Sequence, residues 1–273
     1  MVNPPPIKLL ALDLDDTLLN RDREISVANR RALAAAERRG VLVVLASGRP
    51  MATLYGFAKV LGLDRRKGHL ISMNGGLIVE SDTGDTQWSA ALEPSILAEL
   101  WEHAKACAQP IHVYDGHEIL VNLDNGLTRE DGRLNGLPTR VVERDEFLGE
   151  PRVKVVLPGS PEDLDPIEAR FKAVFHGRAN MCRSKPYLFE IMPPDADKGL
   201  ALARIATLRG LGREAVMAIG DSWNDAGMLG WAGVSIAMAN GVPEIRSMAT
   251  WVTTRGHDED GVAEAIEKFI LDR

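Results

Sequence analysis

The apolar runs "LLAL" at 9–12, "VLVVLA" at 41–46 and "AVMAI" at 215–219 constrain this chain more than any other feature. A strand with one wet face alternates apolar and polar residues. Unbroken runs this short require cover on both faces, which a parallel sheet sandwiched between helices provides. Helical patterns follow at once. "SVANRRALAAAERRG" is Ala-rich and amphipathic, with Ser26 as N-cap and Gly40 as its stop; "RPMATLYGFAKVLGL" has Pro50 near its first turn. Towards the C-terminus, "LALARIATLRG", "DAGMLGWAG" and "GVAEAIEKFIL" read as helices, and "VSIAMA" and "WVTT" as strands. The expected fold class is α/β, a Rossmann-like parallel-sheet core with helices on both faces.

The middle of the chain has a looser texture. "IHVYDGHEILVN" reads as a hairpin about its "DG", "EPSILAELWEHAKACA" and "PEDLDPIEARFKAVF" as helices, and "VKVVLPG" and "YLFEIMP" as strands. This material suffices for a smaller α/β domain inserted into the first. The expected division is a core of 1–81 and 187–273 and a cap of 82–186. The opening "MVNPPPIKLL" reads as a short disordered lead-in with no signal-peptide character.

A net charge of −7 and a pI near 5.5 argue against a general nucleic-acid surface. The two cysteines, Cys107 and Cys182, suit a reducing compartment better than a disulfide scaffold. No apolar run is long enough to span a bilayer. The expectation is a cytoplasmic protein without membrane or nucleic-acid partners, its oligomeric state open.

Ligands of open α/β sheets gather beyond the carboxyl ends of the strands. Asp13, Asp15, Asp16 and Thr17 follow the first strand and Ser47 the second; "GDSWND", with Asp221, Asn224 and Asp225, follows "AVMAI". Taken singly, each could be a cap or turn residue. Lys198 is harder to dismiss, because a cation in the first turn of a helix faces the positive end of the dipole. Together these groups can converge on one sheet edge. The carboxylates suit Mg²⁺, a hard cation that leaves room for phosphate, while serine, lysine and backbone N–H groups suit phosphate oxygens. The scattered histidines, among them His112 and His117, show no zinc pattern, and "SMNGGLI" is not a dinucleotide fingerprint.

"DLDDT" (Asp13 to Thr17), "ASGR" (Ala46 to Arg49), "DKG" (Asp197 to Gly199) and "GDSWND" (Gly220 to Asp225) resemble, in order, the four motifs of the haloacid dehalogenase (HAD) superfamily. The later "SIAMANGVPEI" and "DEDGVAEAI" resemble its Cof-type phosphatase branch, whose α/β cap lies between the second and third motifs. The resemblance implies a Mg²⁺-dependent phosphatase acting on small phosphorylated metabolites, sugar phosphates or similar monoesters, through an aspartyl phosphate. It implies Asp13 as nucleophile and Asp15 as acid and base. Ser47, Gly48, Lys198 and Asn224 would bind phosphate. Asp13, Asp15 through its backbone carbonyl, and Asp221 would bind the metal, supported by Thr17 and Asp225. The alternatives are a phosphomutase-type phosphotransferase and a non-catalytic phosphometabolite-binding protein. Asp16 stands where the family often has glycine. Asn74, Tyr114, Glu118, Arg183 and Lys185 are further candidates for facing substrate, although surface or packing roles are the simpler expectation for the four in the cap.

Overall fold

The computed structural model describes residues 6–272, so most of the expected lead-in lies outside the described residues. The strands are β1 (Leu9–Leu12), β2 (Leu42–Ala46), β3 (His69–Ser72), β4 (Leu77–Glu80) and β5 (Thr86–Ser89). Then come β6 (His112–Asp115), β7 (Glu118–Val121), β8 (Thr139–Val141), β9 (Val155–Pro158), β10 (Asn180–Lys185) and β11 (Leu188–Met192). The last are β12 (Val216–Gly220), β13 (Val234–Ala237) and β14 (Trp251–Val252). Two sheets result, one of order β14-β13-β12-β1-β2-β3-β4-β5 and one of order β10-β11-β9-β6-β7-β8.

The first sheet is parallel from β14 to β3 and ends in the antiparallel strands β4 and β5. Its apolar runs are explained by two separate cores. Leu10 and Leu12 pack with Leu33, Ala36, Leu54 and Ile266 on one face. Leu9 and Ala11 pack with Ala201, Leu202, Ile205 and Met228 on the other. Ser26 caps the helix Val27–Arg38 by accepting from the Asn29 N–H at 3.0 Å. No helix among the described residues is long and apolar enough to cross a membrane.

Register brings the strand ends level. Leu12 is opposite both Ile219 and Leu45, so Asp13, Asp221 and Ser47 emerge at one edge. The ladder continues one step further, with Asp13 N–H donating to the Ile219 carbonyl at 3.0 Å and Ser47 N–H to the Ile71 carbonyl at 2.9 Å.

One face of the second sheet packs on an apolar core, and the helix Gly126–Asn135 lies against part of the other, where Asp131 meets His112 and Tyr114. Val113, Leu120, Val155, Leu157, Phe189 and Ile191 point into a core with Trp101, Phe147, Phe171 and Phe175. Strand alternation turns Tyr114, Lys154 and Glu190 to the opposite face, towards the first sheet. The expected crossings near 82 and 186 both fall in hairpin turns, because β4 pairs with β5 and β10 with β11. Sheet membership puts β5 with the core and β11, which also pairs with β9, with the cap. Polar turns such as "SDTGDT" have the composition of linkers, which is why they read as boundaries. The hairpin about "DG" forms as β6 and β7. The helix Gly126–Asn135 has no counterpart in the sequence reading: its two glycines weaken the pattern, and a reciprocal cap between Asn125 and Thr128 starts it.

The turn joining β3 to β4 presses on the start of the helix Lys198–Leu208. Met73, Asn74 and Gly75 all have positive φ, and a β-carbon on Gly75 would lie 2.3 Å from the Asp197 carbonyl oxygen. Gly75→Ala should therefore destabilise the fold by about 1–3 kcal/mol through backbone strain, plus the displacement of that helix start. Chemical denaturation of the variant checks this; a midpoint equal to wild type would show that the turn relaxes freely.

Candidate active site

Lys198 organises the strand-end carboxylates. It opens its helix, whose N-cap Asp197 accepts from the Leu200 N–H at 2.9 Å. The Lys198 side chain is fully buried, with Nζ 2.5 Å from Asp13 Oδ1 and 2.7 Å from Asp225 Oδ1. Burial pushes its ammonium down, but the two carboxylates outweigh burial and hold it above its ordinary value. Asp225 Oδ2 accepts from the N–H groups of Asp221 and Ser222 at 2.9 and 3.1 Å, so both its oxygens are engaged. Thr17 donates to Asp221 Oδ1 at 2.8 Å.

Asp13, Asp221 and Asp225 bring carboxylate oxygens within 4.8 Å of one another. Three carboxylates beside one lysine leave negative charge uncompensated. Burial, then the charge of Asp225, raises the Asp13 carboxyl well above its usual range. The same two causes push Asp221 up to about 7, against the Thr17 hydrogen bond. Asp13 and Asp221 each keep one oxygen without a hydrogen-bond partner among the described residues. Two free hard oxygens in a region short of positive charge fit a divalent cation. The Asp15 carboxylate is not part of this group.

Asp15 instead faces Arg49, whose Nε and Nη2 grip its two oxygens at 2.8 and 2.6 Å. Burial favours a protonated Asp15, yet the bonds and charge of Arg49 outweigh it and hold the carboxyl below its usual value. Arg49 also donates to the Leu134 carbonyl of the cap at 3.2 Å. Asp16 adopts φ +60°, which explains why glycine suits this position and why aspartate, one of the residues tolerant of that region, replaces it. Its carboxylate meets Lys185 of the cap at 3.1 Å.

Ser47 Oγ accepts from the Arg49 N–H at 3.2 Å. The Gly48 N–H has no acceptor among the described residues, and Gly48 borders a cavity of about 380 Å³ together with Asp13, Asp15 and Asp221. Asn224 donates to Asn74 Oδ1 at 3.1 Å, and Asn74 to Glu190 Oε2 at 2.9 Å. Tyr114 also borders the cavity and donates to Asp131 Oδ2 at 2.9 Å, beside the buried His112. Glu118 and Arg183 serve other ends: Glu118 pairs with Arg140, and Arg183 with Asp165 and Glu168. Arg49, Asp131, Lys154 and Glu190 carried no role in the sequence reading. For Glu190 a signal existed, a lone carboxylate in the apolar strand "LFEIM".

A family model described as haloacid dehalogenase-like hydrolase matches residues 10–266. The protein named "Putative phosphatase YxeH" of Bacillus subtilis is 32% identical, with 97% of this chain and 98% of that protein covered. The 5-amino-6-(5-phospho-D-ribitylamino)uracil phosphatase YwtE of Bacillus subtilis is 28% identical over 97% of this chain and 98% of its own length. The crystal structure of a haloacid dehalogenase-like hydrolase from Bacteroides thetaiotaomicron superposes with a TM-score of 0.89 at 34% identity, covering 96% and 99% of the two chains.

The raised Asp13 and Asp221 carboxyls set a pH dependence. Both bind protons more tightly folded than unfolded, so their stabilising effect is complete below the usual carboxylate pKa and is lost as pH rises through the folded values, about 7 for Asp221 and well above the usual range for Asp13. Without metal, thermal stability should fall between roughly pH 5 and pH 8. A divalent cation binds the ionised carboxylates, so its stabilisation should be larger at the higher pH. Thermal denaturation in EDTA and in Mg²⁺ at both pH values reads this directly. Equal metal-induced shifts would mean that no proton competes at the site.

Proposed function

The chain belongs to the haloacid dehalogenase-like hydrolases, and on that footing we propose that it hydrolyses phosphate monoesters of small metabolites through a phosphoryl group carried on Asp13. Sugar phosphates and similar polyhydroxylated alkyl phosphates are the substrate class. The observation that carries this reading is the disposition of two carboxylates beside a single cavity. Asp13 has one oxygen tethered to Lys198 and the other without a hydrogen bond among the described residues, whereas Asp15 stands apart from the three clustered carboxylates under the control of Arg49.

In the first step the free Asp13 oxygen attacks phosphorus, the bond from phosphorus to the leaving oxygen breaks, and Asp15 supplies that oxygen's proton. In the second, water attacks phosphorus, gives its proton to Asp15, and the Asp13–phosphorus bond breaks. Asp15 held ionised by Arg49 is in the form the second step requires. The first step requires Arg49 to release it, and a phosphoryl dianion is an anion able to draw Arg49 away. Ser47, the Gly48 N–H, Lys198 and Asn224 surround the phosphoryl site and orient the group in line. Mg²⁺ held by Asp13, Asp221 and the Asp15 backbone carbonyl would neutralise phosphoryl charge, with Thr17 and Asp225 fixing the carboxylates around it.

A phosphate-release screen over phosphorylated metabolites tests the activity. Turnover should appear with Mg²⁺ and vanish in EDTA, and Asp13→Asn should lower it by several orders of magnitude while the fold persists. Metal-independent turnover would remove the cation from the reaction, and near wild-type activity in Asp13→Asn would remove Asp13 as nucleophile.

Asp15→Asn should separate the two steps. An aryl phosphate needs little protonation to depart, so the variant should phosphorylate Asp13 from it and then release phosphate slowly. Mass spectrometry after rapid acid quench should find one added phosphoryl group on the peptide containing Asp13. Equal slowing of alkyl and aryl substrates with no phosphorylated protein would leave Asp15 outside acid–base chemistry.

A further inference from the structure

We propose that Lys154, a residue of the cap, is a positioning residue for the phosphate-binding turn of the core, Ser47–Arg49. The inference rests on the phosphatase reading above. The Lys154 side chain is 2% exposed and that of Glu190 is 5% exposed. Lys154 Nζ donates to Glu190 Oε1 at 3.0 Å and, across the boundary between the sheets, to the Gly48 carbonyl at 2.7 Å. It also stands 5.2 Å from the centre of the Tyr114 ring. Glu190 is held in its turn by Ser184 Oγ at 2.8 Å on Oε1 and by Asn74 Nδ2 at 2.9 Å on Oε2.

A trans peptide points its carbonyl and its N–H in opposite directions. With the Gly48 carbonyl drawn to Lys154, the Arg49 N–H points away from the cap and meets Ser47 Oγ. With the Ser47 carbonyl held by the Asn74 N–H at 3.0 Å, the Gly48 N–H is fixed on the other side, where it has no acceptor among the described residues. Asn74 closes the remaining direction, since a β-carbon at Gly48 would lie 2.8 Å from its Oδ1. The turn is thus pinned on several sides, and the Gly48 N–H and the Ser47 hydroxyl are the donors it leaves for an anion. Such donors are effective when their direction is set in advance. Lys154 sets the 48–49 peptide, whose N–H orients Ser47 Oγ, and through it the cap takes part in building a phosphate site whose chemical groups all belong to the core.

The test compares Lys154→Met with the double variant Lys154→Met/Glu190→Gln, in Mg²⁺. Losing a charged hydrogen bond should lower kcat/KM by about ten- to a hundredfold, mostly through KM. The factor should be the same for a sugar phosphate and for p-nitrophenyl phosphate, and inorganic phosphate measured by calorimetry should bind more weakly by a similar factor. The single variant leaves the buried Glu190 charge without its cation and so loses thermal stability; the double variant removes that charge and should recover stability without recovering phosphate affinity. A loss confined to the sugar phosphate would make Lys154 a reader of the substrate's non-phosphate part and overturn the proposal. So would recovery of phosphate affinity in the double variant, or unchanged affinity in folded Lys154→Met. Phosphate affinity is measured without turnover, so an inactive wild-type protein would overturn the phosphatase reading and still leave this comparison decisive.

Discussion

The ammonium of Lys198, fully buried between Asp13 and Asp225, is the interaction on which the rest of the site depends. An unpaired cation at that depth would be prohibitively costly, and so would either carboxylate alone. Each makes the other possible, and the arrangement fixes one oxygen of Asp13 while leaving the second free. The helix start pays for this with an unfavourable dipole position, which the Asp197 cap partly offsets. Because the charges do not balance, the site is short of positive charge, and the raised carboxyls of Asp13 and Asp221 express the same deficit.

The core was legible because its determinants are local and strong. "LLAL", "VLVVLA" and "AVMAI" have no polar face to give water, so the parallel sheet between helices followed, and its carboxyl edge told where to look for Asp13, Ser47 and Asp221. Lys198 stands out in the sequence because it breaks a local rule. The cap hid its role for the opposite reason. The residues it turns toward the cavity, Tyr114, Lys154 and Glu190, lie on the face of a mixed sheet opposite its apolar core, and facing is set by register with strands distant in sequence. Glu190 and Lys154 are separated by 36 residues, and Lys154 and Gly48 by 106, so no short-range spacing announces either bond. Arg49 lay within the recognised "ASGR" and still carried no role, because its partner Asp15 is a long-range contact.

Asp16 shows how a departure from a family pattern can be accommodated. Its backbone occupies the left-handed region that glycine enters freely, and its carboxylate gains Lys185 of the cap as a partner. The added charge therefore falls on the boundary between the two sheets. Such an exposed pair contributes little stability, but its strength depends on the ionic strength of the medium.

The chain passes from the first sheet to the second after β5 and returns after β11, so the cap is tethered at both ends like an exchangeable module. The bonds from Lys154 to the Gly48 carbonyl and from Arg49 to the Leu134 carbonyl limit that modularity. A chimera that grafted another relative's cap onto this core would give the shared cavity a new lining, but it would also have to bring a lysine and a helix carbonyl to the same two places. Exchanging the inserted sheet of this chain would therefore also alter what holds the 48–49 turn and the Arg49 guanidinium.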